Sequence, residues 1–342
     1  MPRPTRLSIA VPPDLWLPAT VCSYGYFLLA PNRWRPEKLA LRRRFDAAEF
    51  GLPSRAFDTA IDQPAGRGTP VRVRCDAGLD RSTSVALRLA VGRVLRLEKD
   101  VRRWRRMAPA ARRRGFGRMF RSPTLFEDMV KTITNCNVGW PSTVRMNHLL
   151  VDRVGGGAFP TPDALARWTP SRLKRSCKVG YRAGRIVGLA RRFADGSIDP
   201  AWFEGLERST EELREALLRL DGFGPYAAAN VLQLLGHDDE LPIDTETYRL
   251  HCQRTGEPRP ANDRTLDGAI ERHYAPYRPH RFLAYWFELW RDYESIRGDA
   301  WTWDPDRVGS DFTASKLAAE PRPPERRRSR RVGANRVGSR RA

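Results

Sequence analysis

Residues 217–250 constrain this chain more than any other stretch. They read as a helix, the turn Leu220-Asp221-Gly222-Phe223-Gly224-Pro225, a second helix rich in Ala and Leu, a short acidic loop, and Leu241-Pro242-Ile243-Asp244-Thr245 opening a third helix. Two glycines around one apolar residue mark a turn that needs positive φ or a close backbone approach, and glycine gives both at little steric cost. Pro225 suits the first turn of the following helix, where its missing N–H is not needed. The turn's amides then sit at a helix N-terminus, free to bind a phosphate oxygen. Phe223 is placed to plug the apolar space between the two helices. Taken alone, Gly-x-Gly is more often a tight turn with no ligand.

Asp244 begins a helix, because Thr245-Glu246-Thr247-Tyr248 continues helically. A carboxylate there accepts backbone N–H bonds and meets the positive end of the helix dipole. An isolated aspartate in that position is usually a plain N-cap. The hairpin, the acidic loop and the Pro-Ile-Asp-Thr helix start together form a far more distinctive arrangement than either part.

Around this stretch the chain changes character once. Residues 1–90 carry strand signals. Pro70-Val71-Arg72-Val73-Arg74-Cys75 alternates apolar and charged, residues 84–89 alternate more weakly, and residues 7–11 and 24–30 are apolar or aromatic runs of strand length. Beyond residue 90 the period is helical. Ser122-Pro123 opens a helix through Phe126, Met129, Val130 and Ile133, and Pro141-Ser142 opens another that Gly155-Gly156-Gly157 stops. Further helices are expected near 162–168, 181–195, 209–220, 225–236, 245–254, 262–274 and 279–293. From about residue 315 the composition collapses to Pro, Arg, Ser and Gly, which predicts a disordered basic tail.

The charge balance points to a polyanionic partner. The 342 residues carry a formal charge of +21, and 61 of them are Lys or Arg. Only Lys38, Lys99, Lys131, Lys174, Lys178 and Lys316 are lysines, so genomic bias and the tail account for part of the excess. Guanidinium groups still grip phosphate at two points and stack on bases. Cys22, Cys75, Cys136, Cys177 and Cys252 are odd in number and widely spaced, which argues against a disulfide framework, a zinc site and a four-cysteine iron–sulfur loop. No apolar run reaches spanning length and no secretory leader is evident, so the expected location is cytoplasmic, nucleoid-associated in a bacterium.

At the hairpin and the Pro-Ile-Asp-Thr segment the sequence resembles the helix-hairpin-helix/Gly-Pro-Asp superfamily of DNA glycosylases, closest to its 3-methyladenine glycosylase II and 8-oxoguanine glycosylase branch. The resemblance spans roughly residues 120–295. It takes in Phe126-Glu127-Asp128-Met129-Val130 and Cys177-Lys178-Val179-Gly180-Tyr181-Arg182-Ala183. It implies an α+β fold, mainly α with an N-terminal antiparallel β-sheet subdomain. The expected division is a β-rich region at 1–95, helical glycosylase domains at 96–314 and the tail at 315–342.

The resemblance also implies an activity and a set of residues. Asp244 would be the catalytic carboxylate, stabilising the cationic sugar that forms as a base departs. Family members that also cut the strand place a lysine where this chain has Tyr226, and a phenol forms no Schiff base. A monofunctional glycosylase of base-excision repair is therefore implied, one that flips out a damaged base and leaves an abasic site. Gly222, Phe223, Gly224 and Pro225 would grip the DNA backbone, and Arg182 would meet a phosphate. Asn135 and Asn137 are candidates to fill the gap left by the flipped base, with local helix capping the plainer alternative. Tyr226, Trp286 and Trp290 would wall the base pocket, where electron-poor alkylated purines stack well. For every ring of the stripe Phe282, Tyr285, Trp286, Phe287 and Trp290 except Trp290, core packing is the plainer reading.

The expected substrate is an alkylated purine in double-stranded DNA, with 8-oxoguanine as the alternative. A catalytically inactive, nonspecific DNA-binding protein is the alternative of another class. No cofactor, metal or iron–sulfur cluster is expected, beyond at most a monovalent cation at the hairpin. The chain is expected to act as a monomer.

Overall fold

The computed structural model describes residues 3–205 and 207–308. The tail expected at 315–342 lies outside the described residues. Five antiparallel strands, β1 (Arg6–Ile9), β2 (Asn32–Arg35), β3 (Ala40–Asp46), β4 (Ala56–Asp62) and β5 (Val71–Cys75), form a sheet in the order β1-β5-β4-β3-β2. Alternation sets the inward face. In β5, Val71, Val73 and Cys75 are buried while Arg72 and Arg74 are exposed.

Numbering only helices of eight or more residues, the chain continues through α1 (Arg81–Val94), α2 (Leu125–Asn135), α3 (Trp140–Arg153), α4 (Pro170–Cys177), α5 (Arg182–Ala194), α6 (Thr210–Leu218), α7 (Pro225–Leu235), α8 (Thr245–Thr255), α9 (Asp267–Tyr274) and α10 (Arg281–Arg297). No helix among the described residues is long and apolar enough to cross a membrane.

Three local expectations are corrected. Residues 24–30 are not a strand. They contain the 3-10 turn Gly25–Leu28, whose Tyr26, Phe27 and Leu28 are all buried, and a short apolar run without alternation does not specify a strand. Residues 84–89 lie inside α1, which Asp80 caps by accepting the Thr83 amide at 2.7 Å. There Leu87, Ala90, Val91 and Val94 turn inward at helical spacing. The cap of α2 is Thr124 rather than Ser122; its hydroxyl accepts the Glu127 amide at 3.3 Å.

The composition change near residue 95 does not separate two cores. One core joins the inward face of the sheet, including Trp34, Phe45 and Val73, to α1, α9 and α10 through Leu87, Tyr274, Tyr285 and Trp290. The other is built from α2 to α7, with Met129, Leu150, Ile186, Leu217 and Val231 at its centre. The aromatic stripe of α10 has too much apolar area to leave in water, and the sheet side receives it.

A buried ionic cluster ties the two cores together. Arg43 of β3 faces inward and binds Glu127 of α2 through two bonds of 2.9 and 2.6 Å. Glu127 also accepts from Lys131 at 2.6 Å, and Glu49 pairs with Arg43 at 3.0 Å. Buried charges persist only when paired in this way. Glu127 is thus a structural residue of the segment singled out in the sequence.

Candidate functional site

The turn between α6 and α7 gives its two glycines different tasks. Gly222 has φ of +94°, and a Cβ there would come within 2.8 Å of Arg185 Cδ. Gly224 is extended, at φ −84° and ψ −176°, and a Cβ on it would meet nothing within 4 Å. The expectation that positive φ or a close approach dictates both glycines therefore holds only for Gly222. Gly224 is the N-cap of α7, no side chain caps that helix, and Pro225 has no amide to satisfy. The first turn of α7 lines a wide groove without a side-chain cap, an arrangement that binds anions at helix N-termini. Phe223 is buried against the α2–α7 core and its amide donates to Leu220 O at 3.1 Å, which closes the turn.

Asp244 caps α8. Its Oδ1 accepts the amides of Glu246 and Thr247 at 3.0 and 3.1 Å. Oδ2 takes no part in this cap. The carboxyl is pushed up to about 6, first by burial and then by the neighbouring Glu246 charge, against the lowering effect of the cap bonds. Glu246 is itself held by Arg249 Nε at 2.9 Å and by the Tyr293 hydroxyl at 2.8 Å.

Two concavities meet at this carboxyl. One is a small cavity of about 230 Å³ whose walls include Tyr226, Trp140, Tyr285, Trp286 and Trp290. The other is a wide groove of about 1270 Å³ that runs past the 220–227 hairpin, residues 135–139 and Arg185. Asp244, Thr245, Asn135 and Tyr226 line both. The cavity is smaller than the usual drug-sized site and suits one flat heterocycle.

The N-terminal region fixes the tryptophans of this cavity. Trp286 Nε1 donates to Ser23 O at 2.9 Å, and Trp290 Nε1 donates to Cys22 O at 2.8 Å. The two rings stack at 5.8 Å with 24° between planes. With each polar edge tied to backbone, the apolar faces are what the cavity receives. Tyr226 accepts a bond from Asn135 Nδ2 at 3.2 Å, and burial together with Asp244 holds its phenol well above the ordinary tyrosine range. It is a neutral ring.

The structure redraws two of the sequence-derived assignments. Arg182 is not a surface phosphate contact. It is 5% exposed and donates to the carbonyls of Cys136 and Asn137, the latter at 3.2 Å. It braces the loop after α2. The two gap-filling candidates also part company. Asn135 is tied to Tyr226 and to Thr143 Oγ1, the latter at 3.4 Å, so it belongs to the cavity wall. Asn137 is exposed at the groove with φ of +51°.

Sequence reasoning missed Trp140, Gly25 and Leu28 in the cavity, and Arg185, Arg219 and Arg264 in the groove. The first three come from segments with no periodic signal, brought in by tertiary packing. Among the described residues, no group of three or more His, Cys, Asp or Glu side chains is placed to hold a metal ion.

No protein-family profile matches the chain, and no curated protein matches it by sequence. Solved structures do match. The 3-methyladenine DNA glycosylase from Archaeoglobus fulgidus superposes with a TM-score of 0.60 at 18% identity, over 84% of this chain and 98% of that one. MBOgg1 in complex with a low affinity DNA ligand gives 0.61 at 17% identity, over 86% and 98%. The 8-oxoguanine glycosylase/lyase of Clostridium acetobutylicum in its apo form gives 0.55 at 15% identity, over 78% and 93%. With its N-terminal antiparallel sheet, its glycine hairpin and the aspartate that follows, this chain has the fold of the helix-hairpin-helix/Gly-Pro-Asp DNA glycosylases.

Proposed function

We propose that the protein is a monofunctional DNA glycosylase that flips a damaged base out of double-stranded DNA, cleaves its N-glycosidic bond with water and leaves an abasic site. One observation carries this reading. The Asp244 carboxyl lies where a base-sized aromatic cavity opens into a groove edged by a helix N-terminus. The groove suits a phosphate backbone, the cavity suits an extruded base, and the sugar between them falls at the carboxyl.

The chemistry follows from that placement. As the glycosidic bond lengthens, positive charge develops on the sugar, and a preorganised carboxylate in a water-poor site stabilises it. Cap bonds to Oδ1 fix the carboxylate without using Oδ2. Tyr226 takes the place of the lysine that would open a Schiff-base route, and no lysine lines either concavity among the described residues. Cleavage of the strand is therefore not expected.

Alkylated purines are the favoured substrate class. Their bases are electron-poor or cationic, and the cavity offers stacked tryptophans beside two acidic residues, Asp244 and Glu246. A purely nonspecific DNA-binding protein would have no use for a half-buried carboxylate facing an aromatic cavity.

The test uses duplexes that each carry one defined lesion, incubated with the full chain and then treated with hot alkali. Strand breaks that appear only after alkali support the proposal. Breaks before alkali contradict the monofunctional mechanism. Binding without breaks on every lesion contradicts enzymatic activity.

A further inference from the structure

The outward face of the β-sheet carries a transverse row of arginines. Strand register aligns Arg6 with Arg74, Arg74 with Ala60, Ala60 with Arg42, and Arg42 with Arg33. The row therefore crosses all five strands, with a small residue at its middle. Four interstrand steps of about 4.8 Å make it roughly 19 Å long. The same face holds a concavity of about 510 Å³ lined by Arg33, Arg42, Arg44, Arg74 and Ala60 together with Asp76 and with Asp58, which pairs with Arg44 at 2.9 Å. It shares no lining residue with the hairpin groove.

The row is only partly neutralised. Arg74 is paired with Asp62 at 2.6 Å and Arg33 with Asp306 at 3.2 Å. Arg6 and Arg42 are exposed and have no ion-pair partner among the described residues. No aromatic side chain lines the concavity, so bases have nothing to stack on there. Guanidinium groups at this spacing, without aromatics, fit a phosphodiester backbone rather than bases.

We infer that the arginine row of the β-sheet is a second DNA-binding surface, which holds a duplex segment through its phosphates while the hairpin groove holds another. Contacts of this type carry no sequence information and weaken steeply with salt. A protein with two such faces can pass between neighbouring duplex segments without leaving DNA.

The test compares the full chain with its R6E/R42E variant, since neither arginine has an internal partner to lose. Each protein is titrated with a 12-base-pair undamaged duplex, and the number of duplexes bound per chain is counted by analytical ultracentrifugation over a range of salt. The wild type is expected to bind a second duplex. R6E/R42E is expected to bind one only, with its first-duplex affinity and thermal midpoint unchanged. The R42Q variant, milder in charge, is expected to lower the salt slope of second-site binding by about one.

A second duplex retained by R6E/R42E, or a wild type that binds only one duplex, overturns the inference. So does a polyglutamate peptide that occupies the sheet of the wild type where duplex does not, which would assign the face to an acidic protein. Excision on a single-lesion duplex, run in parallel, reads the proposed enzymatic function separately, because the sheet variants leave the Asp244 site intact.

Discussion

Asp244 and Thr247 cap each other. The Thr247 amide donates to Asp244 Oδ1 at 3.1 Å, and the Asp244 amide donates to the Thr247 hydroxyl at 3.2 Å. That hydroxyl also lies 3.1 Å from the Tyr285 hydroxyl on α10. The carboxylate is thus fixed from its own helix and, through Thr247, from the helix that carries the pocket tryptophans. The role proposed for Asp244 needs this kind of support, because its orientation must not relax as charge develops.

Replacing Asp244 by asparagine separates function from stability. Asparagine caps a helix as well as aspartate does, so DNA affinity and fold should survive while excision falls by at least a hundredfold. The folded-state value of about 6 lies above the ordinary 3.8, so stability is lost as the pH rises from about 4 to about 6 and the full cost applies above both. Asp244→Asn is therefore expected to be more stable than the wild type by about 3 kcal/mol at pH 8. The difference should vanish below about pH 4, where both side chains are neutral. Denaturant unfolding at the two pH values checks this, and a variant less stable at pH 8 would contradict the strain assigned to the carboxylate.

Under the proposed mechanism the same value sets the pH profile of the reaction. Only the ionised carboxylate stabilises a cationic sugar. Single-turnover excision should be level above about pH 7 and fall toward tenfold per unit below about pH 6. A rate that keeps rising as the pH drops through 5 would remove Asp244 from the role given to it.

Tyr226→Lys puts an amine where the neutral phenol now bridges the cavity and the groove. Its proximity to Asp244 should allow attack on the sugar, so strand breaks should appear without alkali, as the wild type is expected never to show. Tyr226→Phe should excise without such breaks and lose only the Asn135 bond, worth about 1 kcal/mol. Gel analysis of one lesion duplex with and without alkali distinguishes these outcomes.

Arg182→Gln tests the bracing role of that residue. It should destabilise the fold by about 1–3 kcal/mol, since the carbonyls of Cys136 and Asn137 lose a charged donor. The salt slope of DNA binding should stay unchanged, whereas loss of a direct phosphate contact would reduce it by about one. A reduced slope would return Arg182 to the surface role read from sequence.

Two helix starts were legible from local chemistry alone. The hairpin before α7 and the Asp244 cap of α8 are set by neighbours within four residues, so glycine, proline and aspartate announce them. The stripe on α10 was equally plain as a pattern, but not its use. Trp286 and Trp290 become cavity walls because Ser23 and Cys22, more than 260 positions away, take their N–H groups. The 3-10 turn Gly25–Leu28, which forms part of the same wall, has no period by which to announce it.

By itself the sequence determined the hairpin, the capping aspartate, the phenol at position 226 and the order of β-rich and helical regions, because each depends on local backbone preference or on a side chain's own chemistry. Only the tertiary structure decided that Arg182 faces inward, that Asn135 joins the cavity while Asn137 faces the groove, and that four arginines from four strands share one row. Those outcomes depend on which surfaces meet when two apolar cores are buried, and no local stretch of chain carries that information.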